Sequence, residues 1–430
     1  MVGMQAKAGE EERIETIQDV ERFITTGLLP LEPPREGKVG RPLVVPALAL
    51  WSGMLICILR GMGSQLALWR LLAQEGVWSF DRFDVSDDAV YKRLKTAASD
   101  TFQKLFEQIT ELLQGMLKQP ETAVLAPFAA GVFALDGMTL DGVKKCLPTL
   151  RGIKDTVLPG KVLAMFDVRA QLWRRLEYRE HPQENDKHSA RAMLPGLPLG
   201  SLILADMGFF SVEWFDDLTQ MGHFWLSRMR SKTTYTVEHV FLSQNGVRDV
   251  IIWLGQYRAD RAKHAVRLVE FRINGKQYAY ITNVLDPRQL SVADIARLYA
   301  RRWDIEMMFN LVKTHLKLHM IWSAHQNVVI HQVFAVFTVA QIILGLRSEI
   351  ARQTQADTFE ISLDLLVRTL PRLLQRGQDP IQFMVEFGRK GRYIRPSSRT
   401  LIKVPQIDLA EYLFPPADLL LTRAPRYAHK

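Results

Sequence analysis

GVFALDG (residues 131–137) and SLILAD (residues 201–206) decide how the middle of this chain is read. Each is a short apolar run ending on an aspartate, Asp136 or Asp206, with a glycine within two residues of the acid. Apolar runs of this length, bounded by Gly and Pro, behave as buried strands. Between the two lie KVLAMFDV (161–168) and QLWRRLEYR (171–179), also strand-like, and ENDKHSARAML (184–194), which has helical spacing. After them, SVEWFDDLTQMG (211–222) reads as a helix and HFWLSRMR (223–230) as a further strand. The order β-β-β-α-β-α-β predicts an α/β fold, a mixed sheet with helices on its faces. Asp167 and Glu177 fall inside strand segments and read as structural, and Asp141 follows a shorter apolar run than Asp136 does.

Outward from this core the texture changes. DVIIWLGQYR (249–258), AVRLVEFRI (265–273) and KQYAYITNV (276–284) read as strands, and Asn274-Gly275 marks a tight hairpin between the last two. Residues 232–290 are therefore expected to form an all-β insertion. Residues 1–125 read as helical, with the linker LEPPREGKVGRP (31–42) separating a first short helix from a longer bundle. Within that linker, GKVGRP (37–42) resembles a minor-groove arm, but for six residues an ordinary Pro/Gly loop is the stronger reading. Ser86 followed by Asp87 and Asp88 signals a helix start. The Lys92 and Arg93 that follow suit either a DNA groove or a solvated face. The remaining divisions are a core from 126 to 231, its second part from 291 to 345, and a helical, basic region from 346 to 430. The last contains GRKGRYIRPSSRTLIK (388–403), with six basic residues and no acid.

Composition narrows the class. The 430 residues are 47% hydrophobic and 23% charged, enough to bury a large core, and the net charge is +9. A basic excess suits a polyanionic partner, most often nucleic acid. Cys57 and Cys146, the two cysteines, supply neither a disulfide framework nor a cysteine zinc site, which fits a reducing compartment. The charged N-terminus has no apolar signal core. Neither 42–62 nor 333–346 offers about 20 uninterrupted apolar residues, so both read as buried helices and no membrane partner is expected. A cytoplasmic location follows.

One further segment bears on chemistry. YARRWDIEMMFNLVK (299–313) reads as a single helix, on which Tyr299, Arg302, Glu306 and Lys313 fall within an arc of about 60°. Leu298, Ile305, Met308 and Val312 form a separate core stripe. An aspartate at a strand end commonly just opens a turn. Two at comparable ends, with Glu306 on a helix able to cover the sheet, point instead to a shared metal. Mg²⁺ seeks carboxylate and phosphate oxygens, and two ions roughly 4 Å apart can activate a water or 3′-hydroxyl on a phosphodiester. Arg302 and Lys313 suit phosphate charge, and Tyr299 can offer its hydroxyl. His315 and His319 are spaced for a metal but lack a third ligand.

The spacing Tyr-x2-Arg-x3-Glu-x6-Lys resembles the signature of the insertion sequence 4 family of DDE transposases. FALDGMTL resembles that family's first Asp block, and LILADMGFFSVEWFDDLTQMGHFWLSRMR its second, including the basic strand end at Arg228. The likeness runs from about residue 125 to 325. It implies a ribonuclease H-like core flanked by helices, in which Asp136, Asp206 and Glu306 are catalytic and hold two Mg²⁺ ions, with Mn²⁺ able to substitute. It implies a β-rich insertion between the second Asp and the Glu, and DNA contacts from Tyr299, Arg302, Lys313 and Arg228; Lys317, Lys92 and Arg93 are further candidates for DNA contact that the resemblance does not carry. Hairpin-forming relatives keep a base-stacking Trp on the last insertion strand, where this chain has Tyr278, with Tyr280 also near. The implied activity is that of a bacterial transposase that binds terminal inverted repeats as a dimer, cleaves each end and joins the 3′-hydroxyl to target DNA. A metal-dependent nuclease on the same core and a non-catalytic repeat-binding descendant are the alternatives.

Overall fold

A computed structural model describes residues 44–77, 80–98, 100–116, 125–140, 160–182, 186–255, 260–397 and 401–427. The short helix expected before residue 31, the arm at 37–42, Asp141 and Cys146 lie outside the described residues. Four helices come first: α1 (Ala47–Leu59), α2 (Gln65–Arg70), α3 (Asp87–Thr96) and α4 (Thr101–Met116). Then follow β1 (Val132–Thr139), β2 (Lys161–Asp167), β3 (Leu172–Arg179), α5 (Asp186–Ala192), β4 (Leu202–Ala205), α6 (Val212–Gln220) and β5 (Phe224–Arg228). Strands β6 (Tyr235–Gln244), β7 (Val247–Leu254), β8 (Val266–Ile273) and β9 (Lys276–Thr282) come next. The chain closes with α7 (Val292–Arg301), α8 (Trp303–Asn310), α9 (Gln326–Thr354), α10 (Leu363–Gln375) and α11 (Pro380–Phe387). It divides into two compact units, a helical one of Met1–Lys118 with Asn310–Pro396, and a sheet-bearing one of Gln119–Phe309 with Ser397–Lys430.

The sheet-bearing unit is built on nine strands in the order β3-β2-β1-β4-β5-β9-β8-β7-β6. β2 runs antiparallel to both β1 and β3, whereas β4 and β5 lie parallel to β1 and to each other. Five strands ordered 3-2-1-4-5 with only the second reversed form a ribonuclease H-like sheet. Residues Lys161–Phe166 of β2 and all four of β4 are buried, as strands covered on both faces require. Trp173, Trp214 and Trp225 are fully buried, and Phe215 stacks on Trp225 with ring centroids 4.1 Å apart. At the β2–β3 turn, Asp167 accepts hydrogen bonds from the Arg169 and Ala170 amides, the structural part its position suggested.

The insertion continues this sheet. β9 pairs antiparallel with β5, so the meander β9-β8-β7-β6 covers what would otherwise be an open edge. The sequence reading missed β6. Its turn to β7 carries Asn245-Gly246, both at positive φ (52° and 74°), the same type as Asn274-Gly275 (50° and 77°) between β8 and β9.

In the helical unit, α9 extends well beyond the apolar run at 333–346, to 29 residues. By length and composition it is long enough to cross a membrane, yet 94% of its most apolar window is buried inside the protein. It packs on α1 and α4, and Gln341 donates to the Thr110 hydroxyl at 2.8 Å. A Cβ on Gly345 would meet Leu113 Cδ2 at 2.8 Å, so glycine permits the close approach of α4. Ser86 caps α3 by accepting from the Ala89 amide, with Asp87 and Asp88 in the first turn, as its sequence indicated.

Candidate catalytic site

Parallel pairing brings two of the expected acids together. Leu135 of β1 sits opposite Ala205 of β4. The next residues, Asp136 and Asp206, therefore lie at one level on backbones about 4.8 Å apart, although β1 runs on to Thr139 so that Asp136 sits inside its strand and only Asp206 follows a strand end. Asp136 also accepts from the Gly137 amide at 2.8 Å. Glu306 enters from α8, within that helix's first turn.

Arg302 ties the acids to each other. It is 4% exposed, donates from Nη2 to Glu306 Oε1 at 2.5 Å and places Nη1 3.7 Å from Asp136 Oδ2. Its Nε and Nη1 have no hydrogen-bond partner. Burial opposes its charge, but the Glu306 hydrogen bond and nearby carboxylates outweigh that and raise its pKa. Asp136 moves from an ordinary 3.8 to about 6. Burial is the main cause; the Gly137 amide and Arg302 pull the value down, while the charges of Glu306 and Asp206 push it up. All three carboxylates thus share one field, with one guanidinium compensating them.

Tyrosines line the side of this centre. Tyr299 is 6% exposed, its hydroxyl has no partner, and its pKa is raised, first by burial. Asp206 raises it further, whereas Arg302 and Arg228 act to lower it. Its ring meets Tyr280 at 4.6 Å, and Tyr280, pushed up to about 12 by burial, pairs with Arg228 across β9 and β5. Tyr278 is half-buried and stacks on Phe271 at 5.7 Å, continuing the aromatic row.

The single helix expected over 299–313 is interrupted twice. α7 ends at Arg301, Arg302 forms a turn, α8 runs to Asn310, and a π-helical turn occupies Leu311–His315. A uniform 100° step therefore fails across this stretch, and the arc from Tyr299 to Lys313 does not follow from it. Tyr299, Arg302, Glu306, Arg228 and Tyr278 lie in the sheet-bearing unit with the aspartates. Lys313, Lys317, Lys92 and Arg93 belong to the helical unit. There, Lys317 donates to the Gly61 carbonyl at 2.7 Å, Lys92 pairs with Asp88 at 2.8 Å, and Arg93 is half-buried. Asp304, between Arg302 and Glu306, went unnoticed in the sequence; it is fully buried. Its signal was an acid at the margin of the core stripe.

No group of three His, Cys, Asp or Glu side chains among the described residues is packed closely enough to hold an ion. The donor chemistry of Asp136, Asp206 and Glu306 nevertheless fits a hard divalent cation: three carboxylates, mutually repelling, with only one guanidinium between them.

The strand order defines a ribonuclease H-like fold, in which Asp136 and Asp206 lie at one level on adjacent parallel strands and Glu306 sits on α8. Residues 152–342 match the family model described as "Transposase DDE domain", a stretch that includes Asp206 and Glu306 but begins after Asp136. Over that stretch the chain resembles the DDE transposases, and the names of its insertion-sequence relatives fit the insertion sequence 4 family. It is 24% identical over 37% of its length to the probable transposase for insertion sequence element IS5377 of Geobacillus stearothermophilus, covering 43% of that protein. It is 26% identical over 25% of its length to the putative transposase for IS4SA of Synechocystis sp., covering 33% of that one. The putative transposase y4zB of Sinorhizobium fredii is 25% identical over 40% of this chain and 48% of its own length. The chain thus spans less than half the length of these curated relatives. Its backbone also aligns with the piggyBac transposase synaptic complex with hairpin DNA, at TM-score 0.42 and 12% identity over 87% of this chain and 82% of that one.

Proposed function

We propose that this protein is a DNA transposase of a bacterial insertion sequence, acting on double-stranded DNA at terminal inverted repeats and then on target DNA. The observation that supports the reading is geometric: Asp136 and Asp206 lie at one level on the paired strands β1 and β4, and Arg302 bridges Asp136 and Glu306. Asp136, Asp206 and Glu306 would hold two Mg²⁺ ions, or Mn²⁺ in their place, and such ions when bound make a water or 3′-hydroxyl more acidic and stabilise the leaving oxygen. Arg302 holds Glu306 in place and keeps unpartnered N–H groups toward the acids. Those groups, the buried Tyr299 hydroxyl and the Arg228 guanidinium offer donors to a phosphate oxygen. Lys313, Lys317, Lys92 and Arg93 add sequence-independent phosphate contacts. Tyr278 would stack on an unpaired base if excision passes through a DNA hairpin. Joining two ends calls for a homodimer on DNA, acting at the nucleoid in the cytoplasm.

The test uses the full chain, Mg²⁺ and a labelled DNA fragment carrying the element's end. Cleavage at the end followed by joining of its 3′-hydroxyl to a second duplex is the expected result. Cleavage without joining identifies a nuclease, and a mobility shift without cutting identifies a repeat-binding protein; either overturns the proposal.

A further inference from the structure

We infer that Asp304 is a positioning residue for the carboxylate centre: it locks the start of α8 to the β2–β3 turn and so aims Glu306 at Asp136. The inference rests on the reading of the three acids given above.

The junction between α7 and α8 is where the backbone most needs outside support. Arg302 N bonds to Tyr299 O at 3.2 Å and Ile305 N to Arg302 O at 3.4 Å, both spanning three residues, so the regular helical ladder is broken at the turn. A helix restarting there can be pointed in more than one direction unless something fixes it. Asp304, in its first turn, is fully buried, and its Oδ2 accepts from Arg301 Nε at 2.8 Å and from Gln171 Nε2 at 2.7 Å. Gln171 Nε2 also donates to Val168 O at 2.8 Å, and Arg301 Nη2 reaches the same carbonyl at 3.3 Å. Four groups from two distant segments thus close into one network.

The far end of that network is rigid. Gln171 holds a left-handed φ of 55°, and Asp167 accepts from the Arg169 and Ala170 amides inside the same turn. The turn continues directly from β2, whose Ala164 pairs with Asp136. A continuous path of paired backbone and buried hydrogen bonds therefore runs from Asp136 through β2 and the turn to Asp304, two residues before Glu306. Burying the Asp304 carboxylate against a half-buried guanidinium is a poor way to gain stability compared with apolar packing, which favours a role in fixing geometry. Asp304 Oδ2 is engaged by Arg301 and Gln171.

The test measures Mn²⁺ binding to the full chain by electron paramagnetic resonance, alongside circular dichroism and thermal melting. Asp304→Asn keeps the shape but removes the charge that orders Arg301. The expected result is a folded variant whose Mn²⁺ affinity falls about tenfold and whose cleavage of an end-bearing duplex falls by a similar factor at saturating DNA, with DNA affinity within about twofold of wild type. Gln171→Ala, which leaves the ion pair in place, is expected to lower Mn²⁺ affinity about threefold and keeps the question open to measurement if Asp304→Asn does not fold. Wild type and variants binding Mn²⁺ equally, or activity falling only with the folded fraction, overturns the inference alone. A wild type that binds no Mn²⁺, with or without DNA, breaks the metal reading of the three acids and this inference with it.

Discussion

Two carboxylates in one continuous sheet, one fully buried and one half-buried, meet opposite fates. In the β7–β8 half, Asp249 is completely buried and gripped by a fully buried Arg267, with Nε at 2.7 Å and Nη2 at 2.6 Å, while Arg267 Nη1 reaches the Leu290 carbonyl at 2.6 Å. Every charge there is matched within the protein. In the β1–β4 half, Asp136 faces Asp206 and Glu306 across a single guanidinium, and its pKa rises to about 6. One half of the sheet neutralises charge to hold a register; the other leaves like charges in excess, as the proposed cation and phosphate site would require.

The sharpest way to break that comparison is to remove one acid from each half. Glu306→Gln should cut Mg²⁺-dependent cleavage by about ten-thousandfold, ~5 kcal/mol in barrier, while end binding measured by mobility shift stays near wild type. Substantial residual cleavage would show that the helix acid has been misassigned. Asp249→Ala should do the reverse. It strands the Arg267 charge and should lower stability in urea unfolding by about 3–5 kcal/mol, with cleavage per folded molecule unchanged. Replacing Asp249 and Arg267 together by Leu and Met should cost far less; an equal loss would mean that packing, and not the stranded charge, sets the penalty.

A third prediction concerns pH. Because the folded protein holds the Asp136 proton up to about pH 6, above the unfolded value near 3.9, it binds more protons than the unfolded chain between those limits. Stability should therefore fall as pH rises from about 4 to 6, by an amount on the order of 2 kcal/mol. Asp136→Asn should flatten that dependence in urea titrations at pH 4.5 and 6.5; parallel slopes for both proteins would show that Asp136 titrates normally. The smallest expected effect belongs to Lys313→Ala. It should weaken DNA binding and reduce the slope of log affinity against log salt by about one. An unchanged slope removes Lys313 from the phosphate contacts.

Much of this was legible where the signal is local. The apolar runs ending at Asp136 and Asp206 became β1 and β4, the Ser86 cap opened α3, and Asn274-Gly275 turned β8 into β9. β6 was overlooked although Asn245-Gly246 gives the same cue, because its bulged, half-exposed register blurs the alternation of YTVEHVFLSQ. The helix carrying Glu306 was the instructive failure. Its four polar residues share a face only on an unbroken wheel, and the break at Arg302 is held by Gln171, 133 residues from Asp304 in the chain. No local pattern reports such a bond. Arg302 itself was read as a phosphate fork; it spends its hydrogen bond on Glu306 and lies against Asp136, leaving Nε and Nη1 unmatched.

The most direct measurement is anomalous diffraction from Mn²⁺ in crystals of the full chain bound to a DNA end. Peaks about 2.1 Å from carboxylate oxygens of Asp136, Asp206 and Glu306, and beside the scissile phosphate, are the expected result. Ions bound elsewhere in a complex that still cleaves, with those three side chains turned away from the phosphate, would contradict it.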